Sequence, residues 1–262
     1  MLNLDDLAWH RGIGTVLEAL DREDFWLRLT RLLADYVHFN SWVALCFHAD
    51  GPPQVLAEIP QEDGQPDPLF AEYLAGLYQL DPFYIAAIER RKEGLLRLDE
   101  VAAERFRSTE YYHRYFRLNI VEDELQINCL LEDGRTLCLS LGATQRFTPA
   151  ALALLAVLSQ WLIPLLKQRW RLECQLKLQP RPAPLPGSPA SHFHFPGANL
   201  TARELEISQL LLSGYSSKGI AQRLGIATDT VKAHRKHLYS KLGINSQGEL
   251  FSLFLRDSAR QG

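Results

Sequence analysis

The sequence predicts an α+β fold: an antiparallel sheet with packed helices, followed by an all-α C-terminal piece. Three observations predict it. Apolar-rich runs flank turn residues at Asp50-Gly51-Pro52-Pro53 and at Asp133-Gly134, the pattern of strands folded back on themselves. Residues 179–197 are dense in Pro and small side chains, which makes an extended segment that packs no core. Beyond it the apolar residues recur only at helical spacing. The expected division is a first domain at 1–178, a Pro-rich linker at 179–198 and a second domain at 199–262.

The elements follow in order. Asp21-Arg22-Glu23 opens a helical pattern through Phe25, Leu29, Leu32, Leu33 and Tyr36. Residues 41–48 are β-rich, and residues 54–59 pair back on them. Asp67-Pro68 and Asp81-Pro82 each start a helix, with Asp as cap and Pro in the first turn. Residues 122–131 and 135–141 form the second hairpin. A two-residue turn at Asp133-Gly134 would set Cys129 directly opposite Cys138. Disulfide strain and a reducing compartment favour buried free thiols there. Thr148-Pro149 caps a long helix to about Glu173, with a kink expected at Pro164.

The C-terminal piece opens with Thr201-x-x-Glu204, a capping box ahead of Leu205, Ile207, Leu210, Leu211 and Leu212. Ser213-Gly214 closes that helix. Ser216 or Ser217 caps a short second helix carrying Ile220, Ala221 and Leu224, and Gly225 ends it. Thr228-Asp229 caps a third from about Thr230 to Leu242. Two helices joined by a short Gly-containing turn are the outline of a helix-turn-helix. On the third helix Val231, Leu238 and Leu242, with His234 or Arg235, face inward, while Lys232, Lys236 and Tyr239 point out. A basic outward face there suits the major groove of double-stranded DNA; a merely solvated face is the alternative.

Charge supports a polyanion partner at one end. The net charge is −3. From Asn199 onward nine Lys and Arg stand against five Asp and Glu, a net +4, which leaves −7 for the rest. The four cysteines form no Cys-x-x-Cys pair, which fits a reducing cytoplasm and no zinc site. His192-x-His194 reads as incidental. The N-terminus reads without a basic-then-apolar leader, and the longest apolar run, residues 150–158, is too short to span a bilayer. No membrane role is expected. Neither Gly-x-Ser-x-Gly nor His-Glu-x-x-His occurs, so no enzyme, cofactor or metal is expected.

Leu200-Thr201-x-Arg203-Glu204, Gly214-Tyr215-Ser216-Ser217-Lys218-x-Ile220-Ala221-x-x-Leu224, Thr230-Val231-Lys232-x-His234 and Lys241-Leu242-Gly243-Ile244 resemble the LuxR-type DNA-binding domain over residues 199–255. The resemblance implies a four-helix module, a recognition helix in the major groove and a dimerising fourth helix. It maps groove contacts onto Lys232, Ala233 and Lys236, with Ala233 against a thymine methyl, and phosphate contacts onto Lys218, Thr228, Thr230 and Arg235. Gly219 stands where the family usually has Glu, a change expected to weaken that helix by about 1 kcal/mol. Ala227 replaces a common capping Ser, and Gln247 a common Arg.

The N-terminal part lacks the acceptor-acid pattern of a phosphorylated receiver and any nucleotide-binding loop. It resembles the GAF/PAS-like sensor domains of other LuxR-type regulators. Tyr73-x4-Tyr78-x2-Asp81-Pro82 is similar to part of the autoinducer-binding pattern, without that family's flanking tryptophans. The resemblance implies a homodimeric regulator sensing a small molecule other than a standard acyl-homoserine lactone. An acyl-homoserine lactone sensor and a ligand-free dimerisation domain are the alternatives. Trp42, Tyr73, Tyr78, Asp81, Tyr84, Tyr111 and Glu124 are the candidate ligand contacts. Core packing accounts for most such aromatics, and Asp81 is equally placed as a helix cap. Glu124, if turned inward rather than solvated, would favour an amine-bearing ligand.

Overall fold

The computed structural model describes residues 7–49, 51–59, 67–176, 195 and 199–261. Two helices, α1 (Leu7–Glu18) and α2 (Phe25–Ala34), lead into the hairpin β1 (Ser41–Phe47) and β2 (Gln54–Glu58). α3 (Pro68–Ala75), a 3-10 turn (Leu77–Leu80) and α4 (Pro82–Glu89) cross one face of the sheet. β3 (Gly94–Arg97), α5 (Leu98–Val101), a 3-10 turn (Phe106–Ser108), a π-turn (Tyr112–Phe116) and α6 (Arg117–Asn119) follow. The hairpin β4 (Asp123–Leu130) and β5 (Thr136–Ala143) then leads into α7 (Pro149–Leu176). All pairings are antiparallel, in the order β2-β1-β5-β4-β3. The C-terminal unit is all-α: α8 (Ala202–Leu212), α9 (Ser217–Leu224), α10 (Thr228–Leu242) and α11 (Gln247–Gln261). The α+β class, with a helical C-terminal unit, is as expected.

The strands alternate, so each sheet face has its own core. One face of β4 and β5 carries Leu125, Ile127, Cys129, Leu137, Leu139 and Leu141 against α1, α2 and α7. A buried ion pair ties α7 to this layer: Arg169 reaches Glu173 at 2.8 Å and the Arg22 carbonyl at 2.7 Å, and Trp26 donates to Glu173 at 2.9 Å. The other face lies under α3, α4 and residues 106–116. Its apolar cluster is continuous with the core of α8–α11, where Ile207, Ile220, Val231, Leu238, Leu250 and Phe251 meet, and it also takes in Phe195.

Several expectations change. Leu131 N–H donates to the Arg135 carbonyl and Gly134 N–H to the Leu131 carbonyl, so the β4–β5 loop has three residues, with Gly134 at φ 88°. That is a turn closed by a left-handed glycine. Cys129 therefore faces Leu137, Asn128 faces Cys138, and the two thiols lie on opposite faces of the sheet. Burial pushes the Cys129 thiol up to about 12, and both cysteines are free. The third C-terminal helix starts at Thr228, two residues earlier than read, and Ala227 rather than Thr228 stands at its cap, without a side-chain bond. Tyr239 is half-buried on the core rather than outward. α7 is continuous through Pro164, and its stretch Pro149–Cys174 is apolar and long enough to cross a membrane by composition alone. That was missed by counting only uninterrupted apolar residues; here Leu155, Leu158, Leu162 and Leu166 pack on the sheet. The linker at 179–198, apart from Phe195, and His192-x-His194 lie outside the described residues.

Candidate functional site

Local chemistry builds the helix-turn-helix as expected. Thr201 and Glu204 complete a capping box on α8, and Ser216 caps α9 by accepting from Gly219 N–H at 3.1 Å. Gly225 ends α9 at φ 63°, a left-handed conformation that favours glycine. Val231 and Leu238 bury the inner side of α10, which leaves Lys232, Ala233 and Lys236 exposed on the outer side. Thr230 and Lys218 are also exposed, and Thr228 is half-buried in the first turn of α10. The Arg235 guanidinium lies 5.1 Å over the Tyr239 ring. Lys232 reaches only the exposed Asp229 of its own helix, at 2.9 Å.

Other cations of this unit have structural partners. Lys241 binds Glu204 at 2.7 Å, locking the end of α10 to the start of α8. Burial works against the Glu204 charge, yet the bonds from Lys241 and Thr201 outweigh it and hold the carboxyl down to about 2. Arg203 pairs with Glu206 at 2.8 Å. Arg223 pairs with Glu89 of α4, and Arg90 donates to the Tyr215 hydroxyl at 3.2 Å.

The last two contacts belong to a junction between the N-terminal unit and α9. Glu104 accepts from Ser216 N–H at 3.0 Å and from the Ser216 hydroxyl, so an acid of one unit sits on a helix N-terminus of the other. Ser216 holds the Glu104 carboxyl below its ordinary range. Arg105 N–H donates to the Gly214 carbonyl at 3.1 Å. A Cβ on Gly214 would lie 2.9 Å from the Arg105 backbone, and one on Gly219 would lie 2.8 Å from the Glu104 carboxylate. A side chain at 219 would push the Glu104 carboxylate aside, and the Glu usual in the family would repel it. Nothing in the sequence pointed to Glu104 itself.

On the sheet face beneath α3 and α4, four of the candidate ligand residues come together. Tyr73 donates to Asp81 at 2.7 Å, and Tyr111 and Glu124 lie within electrostatic reach of that pair. Asp81 also caps α4 through Phe83 N–H at 2.8 Å, the helix-cap role expected of it. Glu124 is turned inward, 7% exposed, and accepts from the Ser140 hydroxyl. Burial, then repulsion from Asp81, raises its carboxyl well above the ordinary range; burial raises Asp81 to about 6. Burial also keeps the Tyr73, Tyr111 and Tyr115 hydroxyls neutral well past their usual range, as donors.

Tyr78 adjoins this group, its ring edge to face with that of Tyr73 at 6.4 Å. Tyr78 and Tyr84 pack edge to face at 4.9 Å, and Tyr84 donates to the His48 carbonyl at 3.2 Å. Trp42 borders a cleft on this side, but its ring packs in the cluster on the opposite face because β1 alternates. Tyr115, an aromatic of the same segment as Tyr111, joins the group by stacking on Tyr73 at 5.3 Å; what sequence reasoning missed are the inward polar residues Gln126, Asn128 and Ser140. Every second position of residues 124–128 is polar, which was the available signal.

Residues 198–254 match the family model described as bacterial regulatory proteins, luxR family. A curated relative, an HTH-type transcriptional regulator in the exeN 3'region of Aeromonas salmonicida, is 34% identical over 67% of this chain and 93% of its own length. The transcriptional regulatory protein TdiR of Thauera aromatica is 47% identical, over 24% of this chain and 27% of its own. The crystal structure of the VqsR LBD domain from Pseudomonas aeruginosa is 42% identical, with a TM-score of 0.59, covering 63% of this chain and 98% of that one. Fold, basic helix and relatives together define a DNA-binding transcriptional regulator, not an enzyme, with a ligand-binding-like N-terminal unit. The chain belongs to the LuxR family of bacterial regulatory proteins.

Proposed function

We propose that the chain is a cytoplasmic, homodimeric regulator whose N-terminal unit (1–178) senses a small molecule and thereby controls promoter binding by residues 199–262, across the linker at 179–198. The observation that carries the DNA-binding half is the exposed row Lys232, Ala233 and Lys236 on the second helix of the pair. Lys241, Arg203 and Arg223 are engaged elsewhere. In this reading Lys232, Ala233 and Lys236 read base edges, while Lys218, Thr228, Thr230 and Arg235 hold phosphates. A net +4 per unit is modest, which favours a dimer gripping two half-sites. Val157, 66% exposed on α7, offers an apolar side for pairing.

The junction at α9 supports control by the N-terminal unit. A helix N-terminus is a natural phosphate site, and the first helix of such a pair crosses the DNA backbone. Glu104 occupies that place on Ser216, so the docked arrangement competes with DNA. An effector that binds the undocked arrangement more tightly would shift the population toward DNA binding.

The test is a genomic pulldown followed by footprinting and a binding titration. Wild type should protect discrete sites containing two half-sites. Lys232→Ala with Lys236→Ala should lose about 100-fold or more in affinity at an unchanged melting temperature. Retained affinity and site choice in that double variant would overturn the recognition-helix assignment.

A further inference from the structure

We infer that the effector is an organic cation, an amine or guanidine, held between Asp81 and Glu124 against the polar stripe of β4; this rests on reading the N-terminal unit as a sensor. A strand buried on both faces ordinarily carries apolar side chains on both. β4 does so on one face only. On the other, Glu124, Gln126 and Asn128 follow one another, 7%, 1% and 0% exposed. The Gln126 Oε1 atom and both polar atoms of the Asn128 amide are buried without a hydrogen-bond partner. Such groups are expensive to leave unpaired, and a ligand is a common reason to keep them.

The surroundings select the ligand's charge. A cleft of about 510 Å³ lies between β1, α3 and residues 115–120; its wall includes Ser140, which donates to Glu124, and Tyr115, which stacks on the Tyr73 that donates to Asp81. Glu58 and Asp67 line it, and none of its lining residues is Lys, Arg or His. Phe70, Tyr73 and Tyr115 form a stacked aromatic column beside it, with ring centres 5.7 and 5.3 Å apart. Glu58 and Asp67 in the cleft, with Asp81 and Glu124 joined to its wall through Tyr73 and Ser140, disfavour an anion. Carboxylates, amide oxygens and aromatic faces are together the groups that hold an ammonium or guanidinium, and the volume suits a metabolite-sized molecule.

The same groups set a pH dependence. Facing Glu124 are Asp81 at the start of α4, Tyr111 and Tyr115, Asp123 beside it and Ser140 and Cys138 on β5; Tyr73 of α3 faces Asp81. None of these is a cation. Burial and Asp81 favour the protonated form of Glu124, and a bound cation would displace that proton. Binding should tighten as pH rises, with a proton released on binding.

The experiment is thermal shift and titration calorimetry on the full chain. The cation probes are tyramine, agmatine, putrescine and spermidine. Tyrosol and N-octanoyl homoserine lactone are the neutral probes, and 4-hydroxyphenylacetate the anion. At least one cation should raise the melting temperature and release a proton, seen as enthalpies that differ between buffers. Glu124→Gln and Asp81→Asn should each weaken that binding at least tenfold while remaining folded. Cation binding that is unchanged in Glu124→Gln overturns the assignment. Binding of a neutral or anionic probe alone overturns the cation and leaves the sensor standing. Binding by no probe of any class counts against both readings.

Discussion

Glu204 and Glu124 expose similarly little area, 4% and 7%, but Glu204 lies just under the surface and Glu124 deep in the core, and their carboxyls shift in opposite directions. Burial disfavours both charges. At Glu204, Lys241 and the Thr201 N–H, 2.7 and 2.8 Å away, more than offset it. At Glu124 only the Ser140 hydroxyl donates, and Asp81 adds repulsion. Glu104 is a third case, because its partner Ser216 lies in the other unit. The position of the counter-group separates the three roles. An acid matched within its unit holds the fold. One matched across a junction couples two units. One left unmatched by the described residues is available to a ligand.

The largest expected effect comes from breaking the matched pair. Lys241→Met should cost about 2–3 kcal/mol by stranding the Glu204 carboxylate, read as a lower far-UV circular dichroism melt of the C-terminal helices. A shift within error would show that Glu204 needs no counter-charge. Glu124→Gln should act in the opposite sense and raise the melting temperature of the N-terminal unit at alkaline pH, because it removes the pressure to ionise a buried acid. All five tryptophans lie before residue 171, so their fluorescence reports this unit alone. Destabilisation in that variant would place Glu124 among the structural acids.

Acidity and alkalinity should also separate the two units, by smaller amounts. Asp81 is raised from 3.8 to about 6 in the fold, so its contribution is present below pH 4 and lost as pH rises through 6. Glu204 is lowered from 4.5 to about 2, so its contribution is present above pH 4.5 and lost as pH falls toward 2. The tryptophan melt should therefore fall between pH 4 and 7 while the far-UV signal of α8–α11 weakens only on acidification. Parallel curves for both signals would remove the contrast.

Much of this was legible in the sequence because capping and turn chemistry is local. Asp67, Asp81, Thr201 and Ser216 each accept the backbone amide that their spacing anticipates. What escaped depends on partners far along the chain. α1 was unread because Gly12 and Gly14 argue against a helix, yet a Cβ on Gly12 would lie 2.4 Å from Leu32 Cδ1, so close packing requires that glycine. β3 has only four residues and sits beside charged ones. The hairpin register turned on one loop residue, and an off-by-one register exchanges the two faces. It placed Cys129 wrongly against Cys138. Tyr73, Asp81, Tyr111 and Glu124 were chosen as residue types suited to a ligand and do converge. Gln126, Asn128 and Ser140 become informative only once their burial is known. Glu104 left a trace only in its counterpart, Gly219.

The most direct test of control by the N-terminal unit uses a residue that lies outside the DNA-binding helices. Affinity for the footprinted promoter site should be measured for wild type and Glu104→Ala without added effector, at one salt concentration. Releasing α9 should tighten binding by about tenfold, the worth of a charge-assisted contact of roughly 1.4 kcal/mol. Equal or weaker binding by Glu104→Ala would contradict the proposal that this acid holds the regulator off its DNA.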